Sequence, residues 1–183
     1  GGGDGGAHDT GGGGAICVVG SYVELVDSHF QDNVATDHPS LTVGTTGTHH
    51  GGAVMNIQGH IVARNTSFIG GNAYQGGALY TWMWGKIDAD GCSFINNTAI
   101  GHTHNTGGAI FTDRGSAVLR NSFFEGNVAN SSGGAIYAWS ASGSCKNLTS
   151  EGEQETVAPT NGLGGGKCVA PIPCECQNVT VSN

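Results

Sequence analysis

Short runs in which apolar residues alternate with polar ones recur along this chain, and helical spacing of apolar residues is absent. Val23-x-Leu25, Ile61-x-Ala63, Ile87-x-Ala89 and Ala117-x-Leu119 each alternate at period two, the mark of a strand with one buried face. Two residues after each run comes Asp27, Asn65, Gly91 or Asn121. These types accept a left-handed backbone, so a bend is predicted there. A second alternating pair follows: Ser28 and Phe30, Thr66 and Phe68, Cys92 and Phe94, Ser122 and Phe124. Three residues past each Phe stands Asn33, Gly71, Asn97 or Asn127, predicted as a second bend, and Ala35, Ala73, Ala99 or Ala129 closes the unit.

Each unit opens on a glycine pair followed by Ala and an aliphatic residue: Gly13 to Ile16, Gly51 to Val54, Gly76 to Leu79, Gly107 to Ile110 and Gly133 to Ile136. The spacings are 38, 25, 31 and 26 residues. A base period near 25 with insertions predicts a solenoid, whose units bury their apolar sides by stacking on neighbours. Three short strands per unit, two bends and a variable loop fit an all-β, right-handed, single-stranded parallel β-helix of about five coils. Each coil should rise one strand spacing, ~4.8 Å. The expected division is a Gly-rich lead-in over 1–12, repeats over 13–150, and a Cys-containing C-terminal cap or tail over 151–183. The insertions fall at 36–50 and 100–106, both at the corner before the glycine pair.

The glycine-pair opening followed by F-x-x-N resembles the repeat of the chlamydial polymorphic membrane proteins and related β-helical repeats of secreted and surface proteins. The resemblance covers about residues 13–136. It implies extracellular adhesion or surface architecture, and it supplies no catalytic residues. Gly71 departs from F-x-x-N but serves the same backbone role.

Composition narrows the function classes. The formal net charge is −8 and only 11% of residues are charged, so no basic patch is present to neutralise nucleic-acid phosphates. The apolar runs are too short for a membrane helix. Without an initiator Met or signal peptide, the chain reads as a processed product or a fragment. Of six cysteines, Cys145, Cys168, Cys174 and Cys176 cluster late in the chain, which suits a disulfide-tied end in an oxidising compartment. Sequons at Asn65, Asn96, Asn130, Asn147 and Asn178 agree, and together they predict a secreted glycoprotein.

Three constellations are candidates for chemistry. Asp90 falls in line with Arg64 and Arg120, and an Arg–Asp–Arg ladder is the economical reading of a pattern that could otherwise suggest a pectate-lyase-like face. His49, His50, His102 and His104 leave one corner on two insertions and could hold a divalent metal; otherwise no cofactor is expected. Finally, if the aliphatic residue after each Gly-Gly-Ala points inward, Met55, Tyr80, Phe111 and Tyr137 point outward, and so do Trp82 and Trp139 two positions on. That stripe is expected to be covered by another part of the molecule or to serve as a protein interface or carbohydrate-stacking surface. The expectation is a non-catalytic, extracellular structural or adhesive module, a glycosylated subunit of a larger surface or filament assembly. Its partners would be itself or other extracellular glycoproteins, with no nucleic acid and no membrane span. The alternative is a carbohydrate-active or carbohydrate-binding β-helix.

Overall fold

The computed structural model describes residues 12–35, 49–100, 107–130 and 133–139 in full, and 142–151, 154–155 and 174–182 by backbone. Coil one holds β1 (Ile16–Val19), β2 (Tyr22–Val26), β3 (His29–Gln31) and β4 (Val34–Ala35). Coil two holds β5 (Val54–Ile57), β6 (His60–Arg64), β7 (Ser67–Ile69) and β8 (Asn72–Ala73). Coil three holds β9 (Leu79–Trp82), β10 (Lys86–Asp90), β11 (Ser93–Ile95) and β12 (Thr98–Ala99). Coil four holds β13 (Ile110–Asp113), β14 (Ser116–Arg120), β15 (Phe123–Glu125) and β16 (Val128–Ala129). Coil five holds β17 (Ile136–Trp139), β18 (Ser142–Glu151) and β19 (Gln154–Glu155), and β20 (Cys174–Ser182) follows.

Every strand pairs in parallel with its equivalent one coil away, and the described residues contain no helix. The molecule is a parallel β-helix. Coils one to four each have four short strands rather than the three expected, because the closing Ala belongs to a two-residue strand of its own. The repeat also outlasts its sequence signal. β18 runs through both the second and third strand positions, pairing β14 with one half and β15 with the other. β20 then lies parallel on β18 as a further layer.

The glycine pair has two separate causes. The first glycine takes a left-handed backbone, with φ of 66° at Gly51, 63° at Gly76, 55° at Gly107 and 72° at Gly133. The second has no room for a side chain: a Cβ on Gly52, Gly77 or Gly108 would run into the carbonyl of Gly77, Gly108 or Gly134 in the following coil. Bend one sits where expected, with φ of 48°, 46°, 65° and 47° at Asp27, Asn65, Gly91 and Asn121. Bend two sits one residue earlier than expected, at Asp32, Gly70, Asn96 and Gly126, with φ of 51°, 65°, 52° and 60°.

That shift frees Asn97 and Asn127 to face the core, where both are fully buried. Asn97 Nδ2 donates to the Phe68 carbonyl at 3.0 Å and to Asn127 Oδ1 at 2.9 Å, while its Oδ1 accepts from Gly71 N at 2.9 Å. Asn127 repeats the arrangement, donating to the Phe94 carbonyl at 2.9 Å. Beside this amide ladder runs the inner aromatic stack. Phe30, Phe68, Phe94 and Phe124 stack at 5.1, 5.1 and 4.8 Å between ring centroids. Val54, Leu79, Ile110 and Ile136 join the same core, with Ile61 and Ile87 opposite.

Candidate functional site

The first strands of the coils carry the candidate site on their outer face. Alternation sends Val54, Leu79 and Ile110 inward and Met55, Tyr80 and Phe111 outward, and the parallel register aligns Met55 with Tyr80, Tyr80 with Phe111, and Phe111 with Tyr137. Of the two readings, a covered stripe or an interface, these four side chains follow the first. Met55, Tyr80, Phe111 and Tyr137 are 0–5% exposed and make a second hydrophobic cluster, separate from the core inside the coil. Ile57 and Trp82 pack partly against it, and Trp139 is exposed. The outward apolar stripe thus divides into a covered aromatic stack and a rim that includes Trp82 and Trp139.

Within the stack the rings lie nearly parallel, Tyr80 to Phe111 at 5.2 Å and Phe111 to Tyr137 at 5.7 Å. His50 extends it, lying 4.1 Å from Tyr80 with the planes 10° apart, and Tyr74 meets His50 edge-on. Burial, helped by the neighbouring His49, lowers the His50 pKa to about 4, so its ring is neutral at neutral pH. Its Nδ1 has no hydrogen-bond partner among the described residues. Burial likewise raises the phenol of Tyr80 and pushes that of Tyr137 up to about 12. Of the four histidines read as a weak metal site, His102 and His104 lie outside the described residues. His50 serves as a stacking ring, and no cluster of three or more His, Cys, Asp or Glu suited to a metal occurs among the described residues.

The charged ladder on β6, β10 and β14 also differs from expectation. Asp90 is in register with Arg64 and Arg120, but both guanidiniums turn to Asp88, at 3.3 and 2.8 Å. Burial pushes the Asp88 carboxyl up, yet the bonds and charges of Arg64 and Arg120 outweigh it, and the net direction is down. Asp90 instead accepts from Asn121 Nδ2 at 2.8 Å, fixing the bend. Asp88 is therefore an ionised strut, unsuited to act as a proton donor at neutral pH.

Beneath bend one, Ser28, Thr66, Cys92 and Ser122 form an inner column in which each side chain donates to the carbonyl two residues earlier. Cys92 is a free, buried member of this column, and burial raises its thiol pKa. Cys17 is free and exposed. The backbone sets Cys145 beside Cys176 in the β18–β20 register, while Cys168 lies outside the described residues. Among the sequons, Asn65 and Asn96 are exposed on bends, and Asn130 is half-buried with its Nδ2 donating to the Ile100 carbonyl at 3.2 Å. Asn147 and Asn178 fall on β18 and β20, which are described by backbone alone.

One feature escaped the reading of types and motifs. The link from first to second strand holds Gln58 and Gly59 in coil two and Arg114 and Gly115 in coil four, but Met83, Trp84 and Gly85 in coil three. The extra residue is visible in the sequence as eight positions from Leu79 to Ile87, against seven from Val54 to Ile61. It drives Trp84 outward to 73% exposure.

Residues 91–113 and 121–138 match the Chlamydia polymorphic membrane protein repeat (Chlamydia_PMP). The chain carries this repeat. The matched stretches cover less than a quarter of the chain. Each runs from bend one of a coil, across its Phe and buried Asn, into the first strand of the next, so the Chlamydia_PMP unit is the stacked coil itself. No curated protein and no solved structure matches the chain. No helix among the described residues is long and apolar enough to cross a membrane.

Proposed function

We propose that the chain is a non-catalytic extracellular β-helix module, a structural or adhesive part of a cell-surface or filament assembly. The observation that carries this is the match of two successive coils to a membrane-protein repeat. The state of Asp88 favours the same reading, because a carboxylate braced by two arginines stiffens a sheet face rather than moving protons. Glycans on Asn65 and Asn96 fit it too, since both side chains are exposed at bends. Self-association or binding to other glycoproteins would use exposed rim residues such as Trp139, because the aromatic stack behind them is already covered.

Surface labelling of intact cells with a membrane-impermeant reagent, followed by glycosidase digestion of the recovered chain, tests the proposal. Labelling and a mass decrease are expected. A chain labelled only after lysis would overturn the surface role, and turnover of a polysaccharide would overturn the non-catalytic one.

A further inference from the structure

We propose that the corner joining the first and second strands of the coils binds a neutral linear polysaccharide, with Trp84 as its main stacking platform. The proposal deepens the adhesive reading above by naming a ligand class, and it rests on that reading for its biological setting.

The corner gathers most of the exposed apolar side chains among the described residues. All three tryptophans of the chain, Trp82, Trp84 and Trp139, lie there. So do Val19, Tyr22 and Met83, which with Trp84 and Trp139 make five of the seven exposed large hydrophobic residues described. The corner links of coils one to four follow one another along the coil axis and Trp139, at the end of β17, lies one coil further, a ridge of roughly 20 Å at one strand spacing per coil. Trp82 and Trp139 stand two coils apart, roughly 10 Å, comparable to a disaccharide.

The turn that presents Trp84 is strained. Met83 and Trp84 both take a left-handed backbone, at φ 52° and 71°, where coils one, two and four place one such residue, Gly20, Gln58 or Arg114. Gly85 N donates to the Trp82 carbonyl at 3.2 Å, closing the turn, and Trp84 N donates to the Arg114 carbonyl at 2.8 Å. Paired left-handed positions favour Asn and Gly, and a bulky residue there is disfavoured. Burial offsets little of that cost, since Trp84 is 73% exposed. A ring held outward against its backbone preference is accounted for by something that docks on it.

The neighbours select the ligand. Gln58, His60, Lys86 and the Asp113–Arg114 pair interleave polar groups between the rings. A sugar presents an apolar C–H face to an indole and a rim of hydroxyls to such groups. Arg114 is tied to Asp113 at 3.2 Å, so this pair is already neutralised and favours an uncharged ligand over an ionised one. The chain's net charge of −8 disfavours nucleic acid. A ridge one or two side chains wide, interrupted by polar turns, also falls short of the ~800 Å² per partner that a standard protein interface buries.

Titration of tryptophan fluorescence in the full chain reads this corner directly, because every tryptophan lies on it. The probes are cellohexaose, chitohexaose and polygalacturonate. Saturable change with a neutral hexasaccharide is expected, weakened at least about tenfold in Trp84→Ala. Trp84→Ala should melt no lower than the parent, so lost binding would not reflect lost folding. No saturable change with any probe, or unaltered binding by Trp84→Ala, overturns the site. Binding of polygalacturonate alone, abolished by Lys86→Ala, overturns it as well, since the contact would then be one of charge. A surface-labelled chain that binds no probe removes this site and leaves the surface role standing, whereas a chain labelled only after lysis removes the surface role whatever it binds.

Discussion

Two stacks of aromatic rings run along this molecule, one inside the coil and one on its outer face, and their construction differs. The inner stack repeats a single residue type, Phe30, Phe68, Phe94 and Phe124, with centroids 4.8–5.1 Å apart. The outer column changes at nearly every coil, from Cys17 through Met55, Tyr80 and Phe111 to Tyr137, and its spacing loosens to 5.7 Å. The inner stack is enclosed by the coil that makes it. The outer stack needs cover from beyond the strand bearing it, and His50, just before a glycine pair, supplies part of that cover. A repeat therefore encodes its own core, while the covering of its outer face is local and can carry chemistry such as a buried histidine.

Substitutions should separate the two stacks. Phe94→Ala, within the enclosed stack, should cost about 3–5 kcal/mol in urea unfolding. A loss below about 1 kcal/mol would mean that the inner stack relaxes as freely as a surface. In the outer stack the largest effect is through acid. Because the folded chain holds His50 neutral, with its pKa lowered from 6.5 to about 4, stability is intact above pH 6.5. It then falls as pH drops towards 4, as the unfolded chain takes up a proton that the folded chain refuses, by up to about 3 kcal/mol. His50→Phe keeps the stacking and should flatten that part of the pH profile. An unchanged profile would place the acid sensitivity elsewhere. Asn97→Ala should cost about 2 kcal/mol in the same urea assay, because the Phe68 carbonyl and Gly71 N lose a buried partner. Asp88→Asn, on a partly exposed ladder, should cost at most about 1 kcal/mol, with the difference shrinking as salt is raised.

The coil was legible from the sequence because its determinants are periodic and local. Alternation gave the inward columns, and Asp27, Asn65, Gly91 and Asn121 marked bend one correctly. At bend two, composition misled by one residue. An Asn that bends the chain and an Asn that bonds inside it are the same letter, and Asn96 does the first while Asn97 does the second. In the charged ladder, register put Asp90 opposite the arginines, but a long guanidinium reaches across columns, and Asp88 took both. For the outer stripe, alternation states which way Tyr80 points and says nothing of what lies over it. The Trp84 turn was readable only by counting, as one surplus position between two columns otherwise in step.

The glycine seam has a consequence for how such a chain can grow. Along Gly52, Gly77, Gly108 and Gly134 the coils touch backbone to backbone, and no side chain fits between them. Just before the seam the connecting segments vary, with repeat spacings from 25 to 38 residues. Length can therefore change freely at one corner without disturbing the register at any other. Whole coils can be duplicated or deleted as interchangeable parts, and, the one-residue Trp84 turn apart, length variation between copies collects along a single edge of the rod.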